Sequence, residues 1–333
     1  MLTAYITKEA GKIKASNKTL IFEGIDGNKT TIYPDKVDRM LVMGNIGLTG
    51  AAISLILSSD TEVFFMKGKE VLGLYSASSS KDCITRHNQH LLIEDQEWVC
   101  KTSKAIVKGK IINERHFIQR LIRNGNIDSN LGNYATTFLK KLINNVDYAC
   151  TVDSIRGIEG LAAESYFEIL GQNFKYPWAS FSKRTKNPPK DCVNTTLSFL
   201  YTILTNKISS FIKSHGLDIS IGSLHSIQYG RDSLSCDLVE EFRTPIVDQL
   251  VCSMINLGQL KEDNFIYDDE SVLLNEEGRK IVISAFENKL QQKHFYPNKD
   301  KVLTYEKILE EQVMMYKHYI NKEIESYIPF EVK

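Results

Sequence analysis

Apolar and polar residues alternate one by one through much of the first 75 positions, then change to a helical beat that lasts to the end of the chain. Side chains of a strand point to opposite faces in turn, so the alternation over 2–6, 19–22, 30–33, 39–42, 62–65 and 71–75 predicts six short strands. Turns such as E-G-I-D-G-N at 23–28 separate them. One helix interrupts the series at 49–59, where Thr49 can cap and Ala52, Ile53, Ile56 and Leu57 share a face. The run S-A-S-S-S at 76–80 then breaks the pattern with small polar residues, the composition of a linker. The expected architecture is an α+β chain of two domains. A small β-rich domain spans 1–75, a linker 76–83, and a larger all-helical domain 84–333.

Within the helical part the periodicity predicts one long segment over 84–124, a helix over 133–144, another around 161–170, and further helices at 275–285 and 305–324. The clearest is 195–214, where Leu197, Leu200, Tyr201, Leu204, Ile208 and Phe211 recur at helical spacing, with Asp191–Asn194 as cap and Gly216 as terminator. Residues 174–191 carry Pro177, Pro188 and Pro189 and read as a loop.

A length of 333 residues fits one large domain or two ordinary ones, and 41 basic residues cancel 41 acidic ones, so net charge selects no partner. Six dispersed cysteines form no C-x-x-C pair, which argues against structural zinc and for reduced, buried thiols of a cytosolic protein. The N-terminus lacks the apolar run of a signal peptide, and no stretch approaches the roughly 20 apolar residues of a membrane span. A cytoplasmic protein is expected.

Charge is more informative locally. Lys101, Lys104 and Lys108 fall on one helical face, and Lys183, Arg184 and Lys186 cluster in the loop near Trp178 and Phe181. Both suit contact with nucleic-acid phosphates, and both are also what an ordinary solvated surface carries. Glu159 shares a face with Ala162, Ala163, Tyr166 and Leu170, so its carboxylate is expected among small and apolar side chains, where it needs a cation. A salt bridge to Arg156 and a metal ion satisfy that need equally.

Residues 221–248 concentrate the remaining chemistry: His225, then Asp237, Glu240, Arg243 and Asp248 among Leu238, Val239, Phe242, Ile246 and Val247. That setting is too apolar for a freely exposed acidic turn. One imidazole with two or three carboxylates suits Mg²⁺ or Mn²⁺, whereas structural zinc favours thiolates or more histidines. No H-E-x-x-H, G-x-S-x-G, Walker A or G-x-G-x-x-G motif is present.

Four ordered motifs carry a resemblance: I-R-G-I-E-G-x-A-A-x-x-Y-F at 155–167, F-x-x-R-x-x-x-P-P-x-D-x-V-N at 181–194, G-L-D-x-x-I-G-x-L-H at 216–225 and D-L-x-E-E-F-R-x-x-x-V-D at 237–248. Together they resemble the spacer-acquisition integrases of CRISPR systems, the first-numbered CRISPR-associated protein family, over nearly the full length. The resemblance implies an N-terminal β domain that pairs two subunits, a helical catalytic domain, and a Mg²⁺- or Mn²⁺-dependent DNA endonuclease and integrase. Glu159, His225 and Glu240 fall on the family's metal-binding catalytic positions. Asp237 falls on its additional acidic position, a supporting or alternate ligand, and Arg243 and Asp248 are supports. The implied partners are double-stranded DNA, a second copy of the chain, and a small companion CRISPR protein bridging two dimers. Two other readings stay open: a stand-alone metal-dependent nuclease of branched repair intermediates, and a non-catalytic DNA-organising subunit.

Overall fold

A computed structural model of the chain describes residues 3–67, 70–76, 83–186 and 188–332. Most of the expected linker, 77–82, lies outside the described residues, as does Leu2 of the first expected strand. The chain divides into two compact units, one of residues 1–80 with 275–280, the other of 81–274 with 281–333.

The first unit contains β1 (Thr3–Ile6), β2 (Ala10–Ser16), β3 (Thr19–Gly24), β4 (Lys29–Ile32), β5 (Arg39–Val42), β6 (Asn45–Leu48), the helix α1 (Gly50–Ser58), β7 (Glu62–Lys67) and β8 (Glu70–Tyr75). They form two four-stranded sheets, ordered β1-β5-β7-β8 and β4-β3-β2-β6. All six expected strands and the helix are there, and the Thr49 hydroxyl accepts from the Ala52 N–H at 3.2 Å. The strands β2 and β6 were not anticipated. Between Lys12 and Lys14, the A-G-K-I-K-A-S sequence of β2 sends Ile13 wholly into the core. Its strand conformation comes from pairing with β3 on one edge and β6 on the other. Ile13, Leu20, Met40, Val42, Ala52, Ile56 and Val63 make the core of this unit.

The second unit is mostly helical: α2 (Cys83–Leu92), α3 (Gln96–Arg123), α4 (Ser129–Tyr148), α5 (Val152–Gly171), α6 (Cys192–Ser214), α7 (Ser233–Phe242), α8 (Gln249–Asn256), most of α9 (Glu276–Gln291) and α10 (Tyr305–Ile320). The single segment expected over 84–124 is two helices, because Asp95 caps α3 by accepting from the N–H groups of Glu97 and Trp98 at 2.9 and 3.2 Å. The helix α6 matches its expectation, with the Asp191 carboxylate accepting from Asn194 N–H at 2.7 Å. The unit is not all-helical. Strands β9 (Phe265–Tyr267) and β10 (Val272–Leu274) form one antiparallel hairpin, and β11 (Lys293–Tyr296) and β12 (Lys301–Thr304) form another. The second turns through Pro297 and ends at Asp300 with φ +51°, a left-handed turn that three- and four-residue patterns do not register. Among the described residues no helix is long and apolar enough to cross a membrane. All six cysteines are free, but Cys83 and Cys150 are exposed rather than buried as expected.

One local irregularity organises the centre of this unit. Pro245 has no N–H to give to the Glu241 carbonyl four residues back, so residues Arg243–Asp248 widen into a π-helical turn between α7 and α8. The freed Glu241 carbonyl accepts from Asn113 Nδ2 of α3 at 2.8 Å instead. The same Asn113 also donates to the Phe330 carbonyl and accepts from the Val332 N–H, both at 2.8 Å. The C-terminal segment is thereby strapped across α3 and α7, with Phe330 stacked on Phe242 at 5.2 Å between ring centres. Gly109 permits this: a Cβ there would meet Pro329 Cβ at 2.5 Å.

The Glu241 side chain completes the strap, accepting from the Tyr327 hydroxyl and the Phe330 N–H. Burial pushes its carboxyl up to about 8, although these donors pull the other way. An acid whose folded pKa is raised stabilises fully below its unfolded pKa of about 4.3 and loses that contribution as pH rises through the folded value. Urea unfolding should therefore show stability falling between about pH 5 and 9. The fall should be shallower in Glu241→Gln; an identical pH slope in that variant would exclude Glu241 as its source.

Candidate active site

The helix α3 runs through the middle of the second unit and carries Lys110 on its buried face, beside Ile106, Val107, Ile111 and Glu114. Only 9% of the Lys110 side chain is exposed. Its ammonium contacts Glu159 Oε1 from α5 and lies 2.8 Å from Glu240 Oε2 from α7. Glu240 Oε1 in turn lies 3.1 Å from Arg243 Nε, whose guanidinium stacks 4.5 Å above the Tyr201 ring. Two carboxylates and two cations thus occupy one cluster, in which Glu240 and Lys110 are buried and Glu159 and Arg243 are partly exposed.

Electrostatics inside it follow from burial and pairing. Burial works to raise the Glu240 carboxyl, but Arg243 and Lys110 outweigh it and hold the group below the ordinary carboxylate range. Burial likewise works to lower the Lys110 ammonium, and Glu240 and Glu159 overcome it, so the lysine stays charged. Glu240 Oε2 is buried, and the Lys110 ammonium 2.8 Å away is the cation that faces it.

His225 is placed by its own acid. Asp237 is fully buried and accepts from the backbone N–H groups of Ser223, Leu224 and His225 at 2.6, 2.9 and 2.9 Å, and its Oδ1 lies 2.7 Å from His225 Nδ1. If that contact is Nδ1–H donating to the carboxylate, Nε2 keeps the lone pair. Gly222 explains the glycine of the G-x-L-H motif, since a Cβ there would lie 2.7 Å from Asp237 Oδ2. Arg156 ties the loop to α5 by donating from Nε to the Leu224 carbonyl at 2.7 Å, and Gln89 donates to the carbonyls of Asp218 and Ile221 at 2.8 Å each.

The expectations for Glu159 and Arg184 need correction, and Asp248, Lys101, Lys104 and Lys108 have partners inside the protein. Glu159 does not point into apolar packing; its side chain is 27% exposed and reaches Lys110. Nor does Arg156 pair with it, being engaged by Asp153 at 2.9 Å and by Leu224. Asp248 is spent on hydrogen bonds from Tyr166 at 2.8 Å, Thr244 at 3.0 Å and Tyr201. Arg184 is a strut rather than an open cation, donating to Asn194 Oδ1 at 2.6 Å and Ser198 Oγ at 2.9 Å. Lys101 and Lys104 donate to the carbonyls of Glu325 and Asp147 at 2.9 Å each, and Lys108 pairs with the Asp147 carboxylate. The Asp147 carbonyl lies in the last turn of α4, so Lys104 satisfies one of that helix's orphan acceptors. These lysines line a cleft of about 1030 Å³ together with Asp147 and Asp153. Lys186 stands on its loop within electrostatic reach of Arg243, Glu240 and Lys110, its ammonium lowered by burial first and by Arg243 next.

In sequence Lys110 counts only among the basic residues of its helix, as a candidate phosphate contact, and Glu114 is not singled out; the structure instead buries Lys110 between Glu159 and Glu240. The available signal was their place on the stripe of Val107, Ile111 and Phe117, where a charged residue needs a buried partner.

Among the described residues no three His, Cys, Asp or Glu side chains converge closely enough to form a ready metal site. The donor set nevertheless fits a hard divalent cation. Glu159 and Glu240 already converge on one positive charge, the buried Glu240 carboxylate is held ionised, and His225 is oriented by Asp237.

The family model for CRISPR associated protein Cas1 matches residues 4–288. The chain belongs to the Cas1 family. A relative named CRISPR-associated endonuclease Cas1 1, from Chlorobaculum tepidum, is 33% identical over 252 residues, 74% of each chain. Two solved structures share the fold. A casposase bound to integration product superimposes with a TM-score of 0.87 at 22% identity over 98% of this chain and 93% of that one. A Cas6-RT-Cas1–Cas2 complex does so with a TM-score of 0.83 at 24% identity, over 98% of this chain and 36% of the other.

The Asp237 cradle makes a specific prediction. Asp237→Asn keeps the size of the side chain but replaces one accepting oxygen with a donor that faces backbone N–H groups. It should cost about 2–4 kcal/mol in urea unfolding and broaden the His225 ring signals in NMR. Unchanged stability with a sharp, unshifted His225 signal would show that the cradle does not orient the ring.

Proposed function

We propose that this Cas1-family chain is a metal-dependent DNA endonuclease and integrase that inserts short DNA fragments into a CRISPR array. The observation that carries the reading is the convergence of Glu159 and Glu240 from separate helices on one positive charge, with His225, fixed by Asp237, within electrostatic reach of Glu240. Glu159, Glu240 and His225 would hold Mg²⁺ or Mn²⁺. Such an ion neutralises charge gathering on phosphoryl oxygens and favours deprotonation of an attacking hydroxyl. The chain's own residues do the rest. Asp237 keeps the His225 ring oriented, and Arg243 holds the Glu240 carboxylate ionised. Lys186 supplies a positive charge at the mouth of the cluster, suited to a phosphate of the target strand.

The relative named as an endonuclease and the casposase captured with an integration product support cleavage and strand joining as the two activities. The Cas1–Cas2 complex supports a Cas2 companion protein as partner. Pairing of two copies through the β-rich unit is part of the same proposal and follows from the family resemblance alone. Lys183 and Lys186, together with the N–H groups left over on Lys101, Lys104 and Lys108, are the proposed contacts to double-stranded DNA. A substrate of arbitrary sequence must be gripped by its phosphates.

Glu159→Gln and Glu240→Gln should each lower strand joining and cleavage on a repeat-containing plasmid by about a thousandfold or more while leaving DNA binding intact. Joining at the normal rate by either variant would refute the site. Cleavage of branched DNA without any joining, with the companion protein present, would favour the stand-alone nuclease. DNA binding by Lys183→Gln/Lys186→Gln should show a log–log salt slope shallower by about 1–2. An unchanged slope would remove both from the footprint.

A further inference from the structure

Lys110 stands where a cation shared by Glu159 and Glu240 has to stand. A divalent ion and an ammonium cannot both sit between the same two carboxylates, because like charges a few ångströms apart in a buried cluster repel strongly. If those carboxylates bind metal, the ammonium must have somewhere else to go.

The structure contains such a place. Glu114 lies one turn further along α3, four residues from Lys110, the spacing at which side chains meet on a helix. It is only 2% exposed, yet its Oε2 is buried without a hydrogen-bond partner. A buried, unsatisfied carboxyl oxygen is costly and calls for a reason. Whether the carboxyl is ionised or protonated, one oxygen remains able to accept from an ammonium.

We propose that Lys110 is an exchange arm of the metal site, holding Glu159 and Glu240 together in the metal-free protein and swinging onto Glu114 when a divalent ion enters. Lys110 is then a positioning residue. It prevents the two carboxylates from repelling each other apart before the ion arrives, and its displacement is part of the cost of binding that ion. Glu114 lowers this cost by giving the ammonium a second partner inside the protein. The inference rests on the reading of Glu159 and Glu240 as metal ligands.

Calorimetric titration of Mn²⁺ into the full-length chain separates the possibilities. Lys110→Met removes the competing charge and should tighten Mn²⁺ binding by about fivefold or more, whereas Glu114→Leu removes the second berth and should weaken it by a similar factor. In the double variant the Glu114→Leu penalty should vanish, since no ammonium is left to relocate. Mn²⁺ binding by Lys110→Met no tighter than native, or a Glu114→Leu penalty that persists at full size in the double variant, would overturn the exchange. Should Lys110→Met fail to fold, Glu114→Leu decides alone, and unchanged Mn²⁺ affinity overturns it. Glu159→Gln and Glu240→Gln serve as the reference. If they bind Mn²⁺ as tightly as native, the metal-site reading itself fails; if they lose binding while Lys110→Met does not gain it, only the exchange arm fails.

Discussion

Everything at the centre of the second unit depends on keeping charge balanced away from water. Glu240 is almost wholly buried, and an isolated carboxylate there is prohibitive. Arg243 and Lys110 make it tolerable, and each comes with its own support. Arg243 rests on the Tyr201 ring, and Lys110 is anchored in the middle of α3. Removing either partner leaves uncompensated charge, so the cluster fixes the mutual placement of α3, α5, α6 and α7 as well as its chemistry.

The backbone is adapted to the same end. Pro245 opens α7 into a π-helical turn, which leaves the Glu241 carbonyl free for Asn113 and lets Arg243 and Asp248 both face inward. Asp248 then meets Tyr166 and Tyr201. The strap from Tyr327 to Val332 closes over α3 and α7 through Asn113, Glu241 and Phe330. The hydrogen bond missing at Pro245 is thus compensated by a side chain distant in sequence.

The His225 loop shows a different economy. Its residues have no regular secondary structure between α6 and α7, and Asp237 gathers three successive N–H groups and the imidazole onto one carboxylate. A loop held this way can present a ring as firmly as a helix would. Gly222 allows the close approach that the arrangement requires.

Sequence alone determined the change from strands to helices near residue 75, most strands of the first unit and the capped helix α6, and it singled out Glu159, His225, Asp237 and Glu240 as candidates. Periodicity and motifs are local properties, and these features are local. The strand β2 escaped because its conformation comes from two neighbouring strands, and the β11–β12 hairpin because its turn geometry leaves no periodic trace. Partners were decided by the tertiary structure. It gave Glu159 to Lys110 rather than Arg156, spent Asp248 on tyrosines, made Arg184 a strut, and left Glu114 unsatisfied beside the site. A charged residue's type fixes that it needs a counterpart, but only packing brings one within reach, and these pairs are up to 82 residues apart.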